Sequence, residues 1–161
     1  MNEAHLHITL VHIPVVVIPL GFLILLVGTL RKNVAVSRVG LSVMVLATLL
    51  AVPAFLLGEG AEEIVEHLPG ISEDTIEAHE EAADIAFWFT VATGLTSLVS
   101  LYALKVSAAW RTLVMNAALT LSLVASCTLA FAANQGGKIR HPEAFDKSQS
   151  GGGETQEHDK D

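Results

Sequence analysis

The chain carries a single cysteine, Cys127, among 161 residues. That excludes an intramolecular disulfide, a thiolate metal cluster and covalent haem attachment through a CxxCH motif. Lying inside an apolar run, Cys127 reads as a small packing residue. Basic residues are also scarce, nine Lys and Arg against seventeen Asp and Glu, for a formal net charge of -8. A nucleic-acid partner needs a basic face, and this balance denies it. Catalytic signatures are missing as well. His79-Glu80-Glu81-Ala82-Ala83 lacks the second histidine of HExxH, and there is no Glu-x-x-His pair, nucleophile triad, phosphate-cradling glycine loop or internal repeat. A catalyst acting alone is not the expectation.

The most informative absence is that of charge from four long stretches. Residues 9–30, 39–57, 85–104 and 113–133 contain no Asp, Glu, Lys or Arg. Each is close to the roughly 20 residues that a helix needs to cross about 30 Å of hydrocarbon. The expected fold class is therefore all-α, an integral membrane antiparallel four-helix bundle occupying residues 1–145. Glu3 and histidines, rather than a basic segment, precede the first run, and Arg31 and Lys32 follow it, so it reads as a retained span and not a cleaved signal. Residues 146–161, rich in Gly, Ser and acids, read as a disordered acidic tail that includes His158.

Orientation follows from the basic residues, which stay in the cytoplasm. Arg31, Lys32 and Arg38 mark the first connection, and Lys105 and Arg111 the third, neither with an acid. The second connection, Gly58 to Asp84, has ten acids and no base. Both termini and this acidic connection are thus expected outside. All seven histidines then lie on the extracytoplasmic side, and any chemistry is one-sided.

Within the outer connection, Glu62 to Leu68 can form a short helix ended by Pro69-Gly70, and Ser72 is a candidate N-cap with Glu73 and Asp74 in the first turn. An outer helical hairpin over about residues 60–84 is expected. The second helix continues unbroken from Glu73 to Leu104, too long to be contained in the bilayer. Along it His79, Ala83, Ala86, Thr90, Thr93, Ser97 and Ser100 recur at steps of four and three, a small-residue stripe suited to close helix packing.

His12, inside the first span, His79, on the projecting stem, and His141, after the fourth span, can converge near the outer membrane surface. An ionisable side chain at the edge of hydrocarbon needs a partner, which makes His12 a functional-site candidate. Paired Gly136-Gly137 permits a tight turn that would fold the following chain over the bundle mouth. His5, His7 and His67 read as solvated surface. Two schemes use the three candidates: neutral imidazoles from facing helices ligating haem b, or imidazole with carboxylate, Glu80 foremost, binding copper, zinc or iron. A third reading is a ligand-free structural or assembly subunit whose histidines only hydrogen-bond within the bundle.

Val11-His12-Ile13-Pro14, leading into an apolar helix with Gly21, resembles the His-Phe-Pro signature of a bacterial four-span membrane-protein family, domain of unknown function 2231. The histidine at the outer end of span three and the Gly-Gly with a following histidine after span four are similar too. Over residues 5–142 the resemblance points to His12, Pro14, His79, Gly136, Gly137 and His141. It implies a bacterial cytoplasmic membrane protein with its site facing the periplasm or exterior. Because the family's domain is sometimes fused to cytochrome modules, it also raises haem above other ligands. The leading expectation is an electron-transfer subunit with His12 and His79 as axial haem ligands and His141 as a substitute ligand or proton-handling group. Its partners would be the lipid bilayer, a quinol or cytochrome at the outer face, and a larger membrane complex.

Overall fold

The computed structural model describes residues 2–68, 71–105 and 108–141. They form five helices: α1 (Glu3–Leu30), α2 (Val34–Leu56), α3 (Gly58–Val65), α4 (Glu73–Ala103) and α5 (Ala108–Arg140). There is no strand among the described residues. Four of the helices, all but α3, are long and apolar enough to cross a membrane, and the chain is a multi-pass membrane protein.

Local chemistry explains the helix ends. The Asn2 side chain accepts a hydrogen bond from the His5 N–H at 3.0 Å and starts α1. At its other end Lys32 adopts φ 53°, the Lys32 N–H donates to Thr29 O at 3.1 Å and the Asn33 N–H to Gly28 O at 2.8 Å. This pair of bonds closes a helix in the Schellman manner, with lysine standing where glycine is usual. Asn33 then caps α2, its Oδ1 accepting from the N–H groups of Ala35 and Val36. α2 therefore begins before Arg38, because the charge ends the apolar run and not the helix.

α4 has nearly the extent its sequence predicts. Ser72 sits at its N-cap with extended backbone but no side-chain cap bond, and Glu73 and Asp74 occupy the first turn, where the helix dipole favours acids. At 1.5 Å per residue α4 is roughly 46 Å long and outreaches a hydrocarbon core of about 30 Å. α5 departs from expectation. It passes through Gly136-Gly137 without a turn and ends at Arg140, because glycine permits a turn without imposing one, and here the helix has α4 to pack on. The Pro69-Gly70 break and the acidic tail at 146–161 lie outside the described residues.

α1 packs chiefly on α2 and α4 chiefly on α5. Contacts of α2 with α4 and of α1 with α5 complete a square, with α1 and α4 across its diagonal. Each helix buries one seam stepped by threes and fours: Pro14, Ile18, Gly21, Leu25 and Gly28 on α1, and Ala86, Thr90, Thr93, Ser97 and Ser100 on α4. On α2 the seam is Ser37, Gly40, Met44, Ala47, Ala51 and Ala54, and on α5 it is Met115, Ala118, Ser122, Ala125, Leu129 and Ala132. Small residues let backbones approach, so dispersion contacts hold helices that have no hydrophobic drive toward each other in lipid. Most hydroxyls on the seams are satisfied locally or across helices, as when Thr48 donates to Thr90 O at 3.1 Å and Ser100 to Val114 O at 3.0 Å, while the buried Ser97 Oγ meets no partner among the described residues. The outward faces carry Val16, Leu20, Leu23, Leu46, Leu95 and Leu98, an apolar surface matched to acyl chains.

Candidate functional site

Extended by the same steps, the four seams meet in one layer at the acidic end of the bundle. From Pro14 the α1 seam runs back through half-buried Val11 to His7, and from Ala86 the α4 seam runs back through half-buried Ala83 to His79. Four residues beyond Ala54, past the end of α2, comes Gly58, the first residue of α3, and from Ala132 the α5 seam reaches Gly136. Two imidazoles on diagonal helices thus alternate with two glycines.

Both rings are half-buried and held from one nitrogen. His7 Nδ1 lies 2.8 Å from Ala54 O on α2, and His79 Nδ1 lies 3.0 Å from Ala132 O on α5. A carbonyl only accepts, so each Nδ1 carries the proton and, in the neutral ring, each Nε2 keeps its lone pair. Among the described residues neither Nε2 meets a hydrogen-bond partner. The two rings are within electrostatic reach of each other. Of the two glycines, Gly136 makes room for the ring it faces, while Gly58 stands at ordinary contact distance from its own. A Cβ at Gly58 would lie 3.7 Å from His7 Cε1, and one at Gly136 would lie 3.1 Å from His79 Cε1.

His79 therefore faces the bundle, as the small-residue stripe predicts, from the second turn of α4. His12 is on another face. With His5, Thr9 and Val16 it forms an exposed strip of α1, and its Nδ1 bonds to Ile8 O of its own helix. His141 follows the last turn of α5, exposed, its N–H bonded to Gly137 O at 2.9 Å. Glu80 is exposed and turns toward the neighbouring acids. His7, expected at the surface, is the residue that joins His79 in the layer. Its signal in the sequence is positional: the four-and-three spacing that links Gly28, Gly21 and Pro14 arrives at His7 and misses His12. Among the described residues, no three His, Cys, Asp or Glu side chains converge as a metal site would require.

Beside this layer lies an acidic hollow of about 280 Å³ between α3 and α4, lined by Glu62, Glu66, Glu73, Glu77, Glu80 and Ile76. Burial, with Glu80, Glu66 and Glu59 adding their charge, raises the Glu62 carboxyl above its ordinary pKa. α3 is tied back to α1, where the Glu3 carboxylate fills the space that a side chain at Gly60 would need.

A family model described as predicted membrane protein (DUF2231) matches residues 3–142. No curated protein and no solved structure matches the chain.

Proposed function

We propose that this chain, which belongs to the DUF2231 family of predicted membrane proteins, is a b-type haem-binding electron-transfer subunit of the bacterial cytoplasmic membrane. One observation carries the reading. His7 and His79 sit in one layer, each fixed by an Nδ1–H bond to a backbone carbonyl of the neighbouring helix, with Nε2 unengaged. Metal-bound histidines are held in this way, the carbonyl fixing tautomer and ring orientation.

The donor set favours haem over a bare ion. Two imidazoles are the whole protein contribution that a six-coordinate b haem asks for, since the porphyrin provides four nitrogens. Copper, zinc or iron alone would want further side chains, and among the described residues no third ligand joins the pair. Gly136 fits the same reading, because a methyl group there would crowd the His79 ring at 3.1 Å. His7 thus takes the role that the motif and the place at the hydrocarbon edge suggest for His12, and His141 remains a candidate for proton handling at the rim.

When bound, a b haem supplies reversible one-electron exchange at its iron. The residues of this chain orient the two ligating rings, hold the bundle mouth around them with small side chains, and keep all ligands at one end. Electrons then enter and leave by one face, which suits a quinol or a cytochrome as partner and a place in a larger complex. The basic residues of the two short connections support a periplasmic orientation of that face. A second reading, a ligand-free assembly subunit, draws on the same two hydrogen bonds as plain ties between helices.

Purification in mild detergent from haem-replete cells tests this. The expected result is a six-coordinate b-haem difference spectrum near one haem per chain, abolished by His7→Ala or His79→Ala and retained by His12→Ala. A colourless wild-type protein refutes the proposal and leaves the assembly role.

A further inference from the structure

At the opposite end of the bundle, Arg38, Leu98, Leu101, Tyr102 and Lys105 line a groove of about 460 Å³. Its α4 wall is chemically graded. Leu98, then Leu101 and Tyr102, then Lys105 follow at helical spacing, so one strip of surface runs from aliphatic through aromatic to cationic over two turns. Leu98 and Tyr102 are 55% and 67% exposed. Arg38, from the second turn of α2, flanks the strip from the other side. Among the described residues neither Arg38 nor Lys105 has an ion-pair partner. No acid is near in sequence either, since the connections that bear them hold Arg31, Lys32 and Arg111 and no Asp or Glu.

We infer that this groove binds an anionic phospholipid. The order of groups along it is the order of groups along the lipid: acyl chain on Leu98 and Leu101, glycerol level at Tyr102, headgroup phosphate between Arg38 and Lys105. Tyrosine is at home at that depth, and basic pockets at the ends of membrane helices hold acidic headgroups. A free phosphate ion would use the two cations and leave the apolar wall idle, so the wall selects the lipid. The inference is independent of the histidine layer, which lies at the other end of α4.

The test uses the whole protein in mixed micelles containing equal phosphatidylglycerol and phosphatidylcholine, with the lipid retained after size exclusion measured by mass spectrometry. Two basic side chains lead to an enrichment of phosphatidylglycerol of roughly thirtyfold. Arg38→Gln with Lys105→Gln should bring the ratio to one while the helical circular dichroism is unchanged, and each single substitution should give an intermediate ratio. Lys138→Gln, at the far end of α5, should leave it as in wild type. Excess inorganic phosphate should displace none of the bound lipid. Equal retention of the two lipids by wild type, full preference in the double variant, or displacement by phosphate each overturns the assignment.

Discussion

Glycines differ here in what stands opposite them, and the difference decides what a substitution costs. A Cβ at Gly40 would lie 2.6 Å from Leu25 N and 3.0 Å from Gly21 O, all backbone of α1, so no rotamer change can relieve it. Gly40→Ala is expected to separate α1 from α2 and lower stability by about 1–3 kcal/mol, read as a fall in Tm in detergent. Gly58→Ala, facing His7 at ordinary contact distance, should leave Tm nearly unchanged. The same geometry explains which histidine the sequence conceals. His12 is conspicuous because it stands in the motif Val11-His12-Ile13-Pro14, yet motif position says nothing about which way a side chain points. His7 is marked only by its register with Gly21 and Gly28, a relation that becomes meaningful once the glycines are known to be crossing points.

Among the elements, α3 and the start of α4 have a pH dependence built into them. Burial and then the charges of Glu80, Glu66 and Glu59 hold the Glu62 carboxyl above its ordinary value of 4.5. A carboxyl with a raised pKa binds its proton more tightly in the folded state, so its destabilisation is present at neutral pH and is relieved as pH falls through the raised value. Hydrogen exchange at the amides of α3 should therefore show greater protection at about pH 5 than at neutrality, beyond the intrinsic change in exchange rate, and Glu62→Gln should reduce the difference. The extent of α4 is legible in the sequence because Ser72, Glu73 and an unbroken pattern mark it from start to finish. The beginning of α2 and the path of α5 are not, since charge-free runs report where hydrocarbon lies and helices continue past that boundary. Gly136-Gly137 misleads for a related reason: two glycines describe a freedom, and the neighbouring helix determines whether the chain uses it.

For the molecule as a whole, the four charge-free runs make the bundle legible, while which helices pair and which stand across the diagonal depends on contacts that no single run encodes. Its orientation can be read with two reporters in a Cys127→Ser background. Ser37 would serve badly as the reporter near the first connection, being buried against Gly28, whereas Ala35 is exposed at the start of α2. Impermeant maleimide applied to intact cells should label Glu73→Cys and spare Ala35→Cys, with the reverse pattern inverting the topology. The two histidine bonds carry a final consequence. His7 is fixed by α2, and His79 by α5, each the helix that its own helix chiefly packs on. Each half of the chain therefore finishes one half of the layer by itself, and only the docking of the halves brings the two rings together. A group held by both rings would act as a clasp, adding its own binding energy to the joint between the halves and making that seam stronger loaded than empty.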